Sequence, residues 1–259
     1  MGNMHSFQFS AFLRVLFLIF SAAVLTVLLA TPGCVFSLFD RSGRYASSFQ
    51  RAWVYGLFRL NGIRIRVQGR ENIKDGSANI LISNHASLLD IPAIVAAVPL
   101  PVRFIAKKSL IWFPIFGWFM YFARHVLIDR ASAVSAAKSL KKASRLMKQG
   151  ISVVVFPEGT RSPDGEVKEF KRGAFLLALQ SRSPIVPISI SGTYEMLPRT
   201  GCCFWPGTID LKIGSPIPTQ GLPIREVRQF EEKVRNIIID QTQRGIDTLT
   251  EMPEVPLMR

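Results

Sequence analysis

The sequence predicts an α/β domain, with a mixed, largely buried central sheet flanked by helices, preceded by an N-terminal hydrophobic helical membrane anchor. Three observations predict it. From Ile63 onward, short apolar runs alternate with stretches of helical periodicity. Before that, the run VLFLIFSAAVLTVLLA from Val15 to Ala30 is apolar apart from Ser21 and Thr26. Finally, 48% hydrophobic content in 259 residues is enough for a sizeable core. We divide the chain into a membrane-associated helical segment, residues 1–60, and an α/β domain, residues 61–259.

The N-terminal run is borderline for a spanning helix, which needs ~20 apolar residues. Extending it back to Phe7 reaches that length by including Gln8 and Arg14, which can snorkel to headgroups. Pro32-Gly33 is expected to break the helix. A cleaved leader would need a more basic start and a better small-residue site than the residues before Cys34, so the segment is expected to be retained. Next, Tyr45 to Asn61 places Tyr45, Phe49, Trp53, Val54, Leu57 and Phe58 at helical spacing. That stripe suits a core helix or an interfacial one equally.

Strands are expected at Ile63 to Val67, Ile80 to Ser83, Val102 to Ala106, Val126 to Ile128, Ser152 to Phe156, Ile185 to Ser191 and Ile209 to Ile213. Helices are expected at Leu88 to Val98, Ala131 to Gln149, Gly173 to Ser181 and Ile224 to Arg244. The segment Leu110 to Ala123, LIWFPIFGWFMYFA, is apolar all round but interrupted by Pro114 and Gly117, so it is too short and broken to span. It reads either as a buried helix or as a hydrophobic wall for a lipid tail, and Lys107 and Lys108 at its entrance favour the wall.

The formal charge is +14, and from Arg103 to Arg172 there are 14 Lys or Arg against 5 Asp or Glu. Such a field attracts polyanions. Basic strands interleaved with aromatics for base stacking are not evident, so nucleic acid is not an expected partner. Cys34, Cys202 and Cys203 have no metal or redox spacing, and His5, His85 and His125 are too scattered for a histidine-rich centre; no metal is expected.

The chemistry concentrates at Asn84-His85-Ala86-Ser87-Leu88-Leu89-Asp90. Five residues apart on one helix would separate His85 and Asp90 by roughly 140°, so a turn must bring them together. Ser87 to Asp90 matches the Ser-x-x-acid pattern of a helix start, which leaves His85 in the turn after the strand. A carboxylate on one imidazole nitrogen fixes the tautomer and frees the other nitrogen to act as a base. The alternative is that Asp90 only caps the helix. The base would act on a bound hydroxyl, or on Ser83 or Ser87; with no Gly-x-Ser-x-Gly elbow, direct attack by a substrate hydroxyl is simpler.

Phe156-Pro157-Glu158-Gly159-Thr160-Arg161-Ser162 follows another strand, which puts Glu158 and Arg161 at a strand end where α/β sheets bind ligands. Arg161 can fork onto phosphate and Glu158 can accept from a hydroxyl, or the two can simply hold a turn. Lys107, Lys108, Lys171 and Arg172 could add phosphate contacts or be solvated.

These residues resemble the lysophosphatidic acid acyltransferases of the glycerolipid acyltransferase superfamily. NHASLLD matches the family's NHxxxxD block at Asn84, His85 and Asp90. KKSLIWFPIFG matches its second block, FPEGTRS its third, and Val186-Pro187-Ile188 with SISGTYEMLP its fourth. Four blocks in order cover roughly residues 60 to 215, and the ends of the chain match only in general character.

The resemblance implies a glycerol-3-phosphate acyltransferase-like fold in which His85 deprotonates the sn-2 hydroxyl of lysophosphatidic acid. That hydroxyl would attack an acyl thioester, acyl-CoA or acyl-acyl carrier protein, with no permanently bound cofactor. Asp90 would orient His85. Arg161 would grip the phosphate, Glu158 and Gly159 shape the glycerol site, and Lys107 hold phosphate or developing charge. Asn84, Thr160 and Lys171 complete the expected substrate contacts, and Pro114 and Pro187 would be structural. Membrane lipids and acyl carrier protein are the expected partners, on the cytoplasmic side of a bacterial inner membrane. The rival readings are acyl transfer to glycerol 3-phosphate or another lysolipid, and a non-catalytic binder of anionic lipid.

Overall fold

A computed structural model describes residues 2–39, 43–73, 78–129, 133–199 and 203–248. Cys202 and the expected helix start at Ala131 lie outside those residues. Among the described residues seven strands form one sheet: β1 (Arg64–Gln68), β2 (Ile80–Ser83), β3 (Val102–Lys107), β4 (Val126–Ile128), β5 (Ser152–Val155), β6 (Ile185–Ser191) and β7 (Thr208–Ile213). Their order is β1-β7-β6-β2-β5-β3-β4. Every pairing is parallel except β6 with β7. All seven expected strands are present, with ends shifted by a residue at most.

The central strands are apolar on both faces because helices cover both faces. Side chains alternate in a strand, so Leu81 and Val154 enter one core while Ile80, Ile82, Val153 and Val155 enter the other. The first core is closed by α1 (Gly2–Leu25), α3 (Arg44–Leu60) and α4 (Asp90–Ala97) through Leu18, Leu57, Phe58 and Ile94. The second is closed by α6 (Ala133–Met147), α7 (Gly173–Ser181) and α9 (Val227–Thr248), through residues that include Ala143, Phe175 and Val234. The expected helix from Ile224 starts instead as a 3-10 turn, Ile224–Glu226.

Pro32-Gly33 does not end the N-terminal helix. After α1 the chain makes a π turn, Thr26–Ala30, and continues as α2, Thr31–Phe39. The wider turn falls where the proline ring would otherwise meet the preceding carbonyl, and Pro32 lies in the first turn of α2, where its missing N–H matters least. Gly33 serves packing: a Cβ there would lie 2.7 Å from Phe119. From Ser10 to Phe39 the helix is long and apolar enough to cross a membrane. Phe12, Leu16, Phe20, Leu28 and Phe39 are among its exposed side chains.

The segment after β3 is not a buried helix. It splits into a 3-10 turn, Lys108–Trp112, and α5, Phe116–Phe122. Phe119 and Met120 point inward, whereas Trp112, Phe113, Trp118 and Tyr121 are exposed. The short remaining helix α8 spans Thr193–Met196.

Candidate active site

Strands β3, β5, β2 and β6 are parallel neighbours, so their carboxyl ends share one edge of the sheet. Ligands of open α/β sheets bind at that edge. There the chain delivers Lys107, Phe156 to Ser162, Asn84 to Asp90 and Gly192-Thr193. The four sequence blocks therefore meet because four neighbouring strands end together.

Asn84 is buried, and its amide is taken up by the main chain of β6. It donates to the Ile190 carbonyl and accepts from the Ile190 N–H, both at 2.9 Å. This extends the β2–β6 pairing by one residue and sets the direction in which His85 leaves the strand. His85 Nδ1 lies 2.8 Å from Asp90 Oδ2, so with a carboxylate acceptor Nδ1 carries the proton. Its ring stacks on Phe156 with centroids 4.1 Å apart, and His85 lines the large cavity described below.

Asp90 both orients His85 and holds the turn. Its Oδ2 also accepts the N–H groups of Ala86 at 2.8 Å and Ser87 at 2.9 Å, while Oδ1 accepts the Thr193 hydroxyl at 2.6 Å. The reach back to Ser87 is half of a capping box. The other half is altered, because the Ser87 hydroxyl accepts from Leu89 N–H and donates to the Leu197 carbonyl. The helix accordingly starts at Asp90, two residues later than expected from Leu88. Thr193 was not singled out from sequence. It is brought in by Gly192, whose φ of 85° and missing Cβ, which would lie 2.4 Å from the Thr208 carbonyl, require glycine.

The FPEGTRS segment clasps the backbone of His85 from both sides. Glu158 Oε1 accepts the His85 N–H at 2.8 Å, and the Ser162 N–H donates to the His85 carbonyl at 2.7 Å. Glu158 is only 6% exposed. Burial pushes its carboxyl up to about 7; the N–H groups of His85 and Lys168 pull the other way, Asp90 adds to the rise, and Arg235 opposes it. Glu158 is thus placed to hold the His85 backbone.

Gly159 has a φ of 76°, and a Cβ there would lie 2.9 Å from Lys171 Nζ, so the Lys171 side chain crosses this turn. Thr160 is exposed and Arg161 half-buried. Burial lowers the pKa of the Arg161 guanidinium, and Arg199 lowers it further, against an opposing pull from Asp90. Arg199 also donates to the Arg161 carbonyl at 2.9 Å. Two guanidinium groups close enough to interact favour an anion between or beside them. Arg199 lies beyond the fourth block, and no spacing signal marked it.

On the other side of His85 is a cavity of about 420 Å³ with overwhelmingly apolar walls. Leu110, Phe116, Phe119 and Met120 form the wall expected after Lys107, and Lys107 lines the cavity too. Phe49 and Trp53 of α3 and Leu29 of the π turn close it. The aromatic stripe of α3 is therefore shared: Leu57 and Phe58 are core, Val54 is buried yet lines the cavity with Phe49 and Trp53, and Tyr45 is exposed. His125 also borders the cavity but is buried and held neutral, its pKa pushed down to about 3 by burial, with Arg103 and Lys142 adding to it. It accepts the Phe104 N–H at 3.0 Å and meets the Gln50 amide at 2.7 Å.

The comparisons with known proteins agree on one family. The acyltransferase family model matches residues 64–191. This chain belongs to the acyltransferase family. A 1-acyl-sn-glycerol-3-phosphate acyltransferase of Cocos nucifera is 36% identical over 180 residues, 69% of this chain and 58% of its own length. The human 1-acyl-sn-glycerol-3-phosphate acyltransferase alpha is 34% identical over 181 residues, 70% of this chain and 64% of its own. The chain thus spans about three fifths of the length of these curated relatives. The crystal structure of the 1-acyl-sn-glycerophosphate (LPA) acyltransferase of Thermotoga maritima superposes with a TM-score of 0.77 at 29% identity. That match covers 95% of this chain and 99% of the other.

Proposed function

We propose that this acyltransferase moves a fatty acyl group from an acyl thioester to the sn-2 hydroxyl of 1-acyl-sn-glycerol 3-phosphate, forming phosphatidic acid. The observation that carries this reading is the His85–Asp90 pair, 2.8 Å apart, with His85 lining an apolar cavity. In this mechanism His85 Nε2 takes the proton of the hydroxyl as its oxygen bonds to the thioester carbonyl carbon. The tetrahedral intermediate collapses, the C–S bond breaks, and the proton passes from Nε2 to the leaving sulfur. Asp90 stabilises the transient imidazolium, as the acid of a catalytic triad does.

The cavity takes the acyl chain. Arg161, with Arg199 and Lys171 nearby, takes the phosphate, and Lys107 offers charge at the cavity wall. Asn84 and Glu158 act through the His85 backbone and do not touch substrate. Either acyl-CoA or an acyl carrier protein supplies the thioester. The apolar helix from Ser10 to Phe39 supports a membrane setting. We propose that the active site faces the cytoplasm at a bacterial inner membrane, where soluble thioesters reach it.

The test is phosphatidic acid formation from labelled acyl-CoA by the purified protein in lipid. Lysophosphatidic acid is expected to be the preferred acceptor over glycerol 3-phosphate and a phosphate-free lysolipid. Arg161→Ala is expected to cut turnover with phosphate-bearing acceptors by roughly 10-fold or more, since a charged hydrogen bond is lost. Preference for a different acceptor would overturn the reading, and equal loss with the phosphate-free one would overturn the role of Arg161.

A further inference from the structure

Helix α6 carries a charge pattern that neither the core nor the acyl-transfer site uses. From Ala133 to Ile151 the chain contains Lys138, Lys141, Lys142, Arg145 and Lys148 and no Asp or Glu. With 3.6 residues per turn, Lys138, Lys141, Lys142 and Arg145 fall within an arc of about 100°. All four are exposed, and so is Lys148 just past the helix end. The opposite face, with Ser139, Ala143, Leu146 and Met147, is buried. Like charges three and four residues apart oppose helix formation. Apart from Lys142, whose ammonium donates to the His125 carbonyl, a face that repels itself has no explanation in folding.

Its place in the fold narrows what it can meet. Helix α6 leads from β4 to β5, which run parallel, so it starts at the carboxyl edge of the sheet that carries His85 and Lys107. From Lys138 to Lys148 the row is about 15 Å long at 1.5 Å per residue. Helix α6 packs in the core on the opposite sheet face from α1, α3 and α4. The row therefore lies across the sheet from the exposed apolar side chains of the N-terminal helix, the surface that suits a bilayer. A thioester-bearing nucleotide offers a compact knot of phosphates, whereas a row this long matches an acidic helix laid alongside it.

We propose that the basic face of α6 docks a small acidic protein that carries the acyl group as a thioester on a flexible arm. The arm then reaches His85 around the nearby sheet edge. This rests on the acyl transfer proposed above and specifies how one class of donor is recognised.

The test compares two donors with the same acyl chain, one on an acidic acyl carrier protein and one on coenzyme A, using the full-length enzyme in lipid. The variant is K138E/K141E/R145E; Lys142 is left in place because its ammonium donates to the His125 carbonyl at 2.9 Å. Its kcat/KM with the carrier-borne donor is expected to fall about tenfold or more, with the coenzyme A donor changing by less than about twofold. Added salt is expected to erode only the wild-type reaction with the carrier. Equal loss with both donors, or loss with neither, would overturn the docking surface. So would unchanged kinetics accompanied by lost co-sedimentation with phosphatidylglycerol vesicles. A wild-type enzyme that uses coenzyme A alone would overturn the docking while sparing the proposed function. Transfer from neither donor would overturn the function itself.

Discussion

The Asp90 carboxylate is fully buried and accepts four hydrogen bonds, from His85, Ala86, Ser87 and Thr193. Only the Thr193 bond falls on Oδ1, so Thr193 sets how Oδ2 is aimed. Thr193→Val should lower kcat by about tenfold with little change in KM, because a buried carboxylate oxygen loses its donor. Thr193→Ser, which keeps the hydroxyl, should recover most of it, and steady-state kinetics on the three proteins checks both. Glu158 makes a different prediction. Its folded pKa of about 7 lies above its ordinary value of 4.5, so the folded state favours the protonated form. Stability from this group is full below pH 4.5 and lost as pH rises through 7. The wild type should therefore lose stability relative to Glu158→Gln between those pH values, by an amount on the order of 3 kcal/mol. Urea unfolding of both proteins at pH 5 and pH 8 measures it. At this scale the sequence was half legible. His85 and Asp90 could be paired because they lie in one turn, whereas Glu158 and Thr193 find their partners 73 and 103 residues away. No local pattern records such a contact.

Among the elements, the strands were readable because burial on both faces makes their code simple. Ile80-Leu81-Ile82 is continuously apolar, and such a run between turns has few other solutions. Helix ends were less readable. Pro32 looked like a terminator, but a π turn just before it lets the helix continue. Likewise, Ser87 looked like a cap, but its hydroxyl is drawn to the Leu197 carbonyl, a tertiary partner. The short helix α8 exists because Gly192 can take a left-handed conformation between β6 and Thr193. Gly192→Ala should cost about 1–3 kcal/mol from backbone strain, with a further loss from the close Thr208 carbonyl. It should also lower turnover, because Thr193 is displaced. Thermal melting and kinetics on the same preparation test the two effects together.

Across the whole molecule, the +14 charge and the apolar N-terminus first suggested only that charge and grease occur in one chain. The fold gives that pairing a direction. The cavity runs from His85 between α3, the π turn and the segment after β3, so the N-terminal helices form part of its wall. Leu18 lies in the same core as Leu81 and Val186, which ties the N-terminal helix to the sheet. The cavity was beyond the reach of sequence, because it is the space left between elements and no stretch of residues encodes it. At the wall of that cavity, the proposed mechanism makes His85 the base. The most direct measurement is the turnover of His85→Ala with lysophosphatidic acid and acyl-CoA, on protein whose melting curve matches the wild type. A loss of ~100-fold or more is expected, the contribution of general-base catalysis. Turnover close to that of the wild type in the folded variant would contradict it.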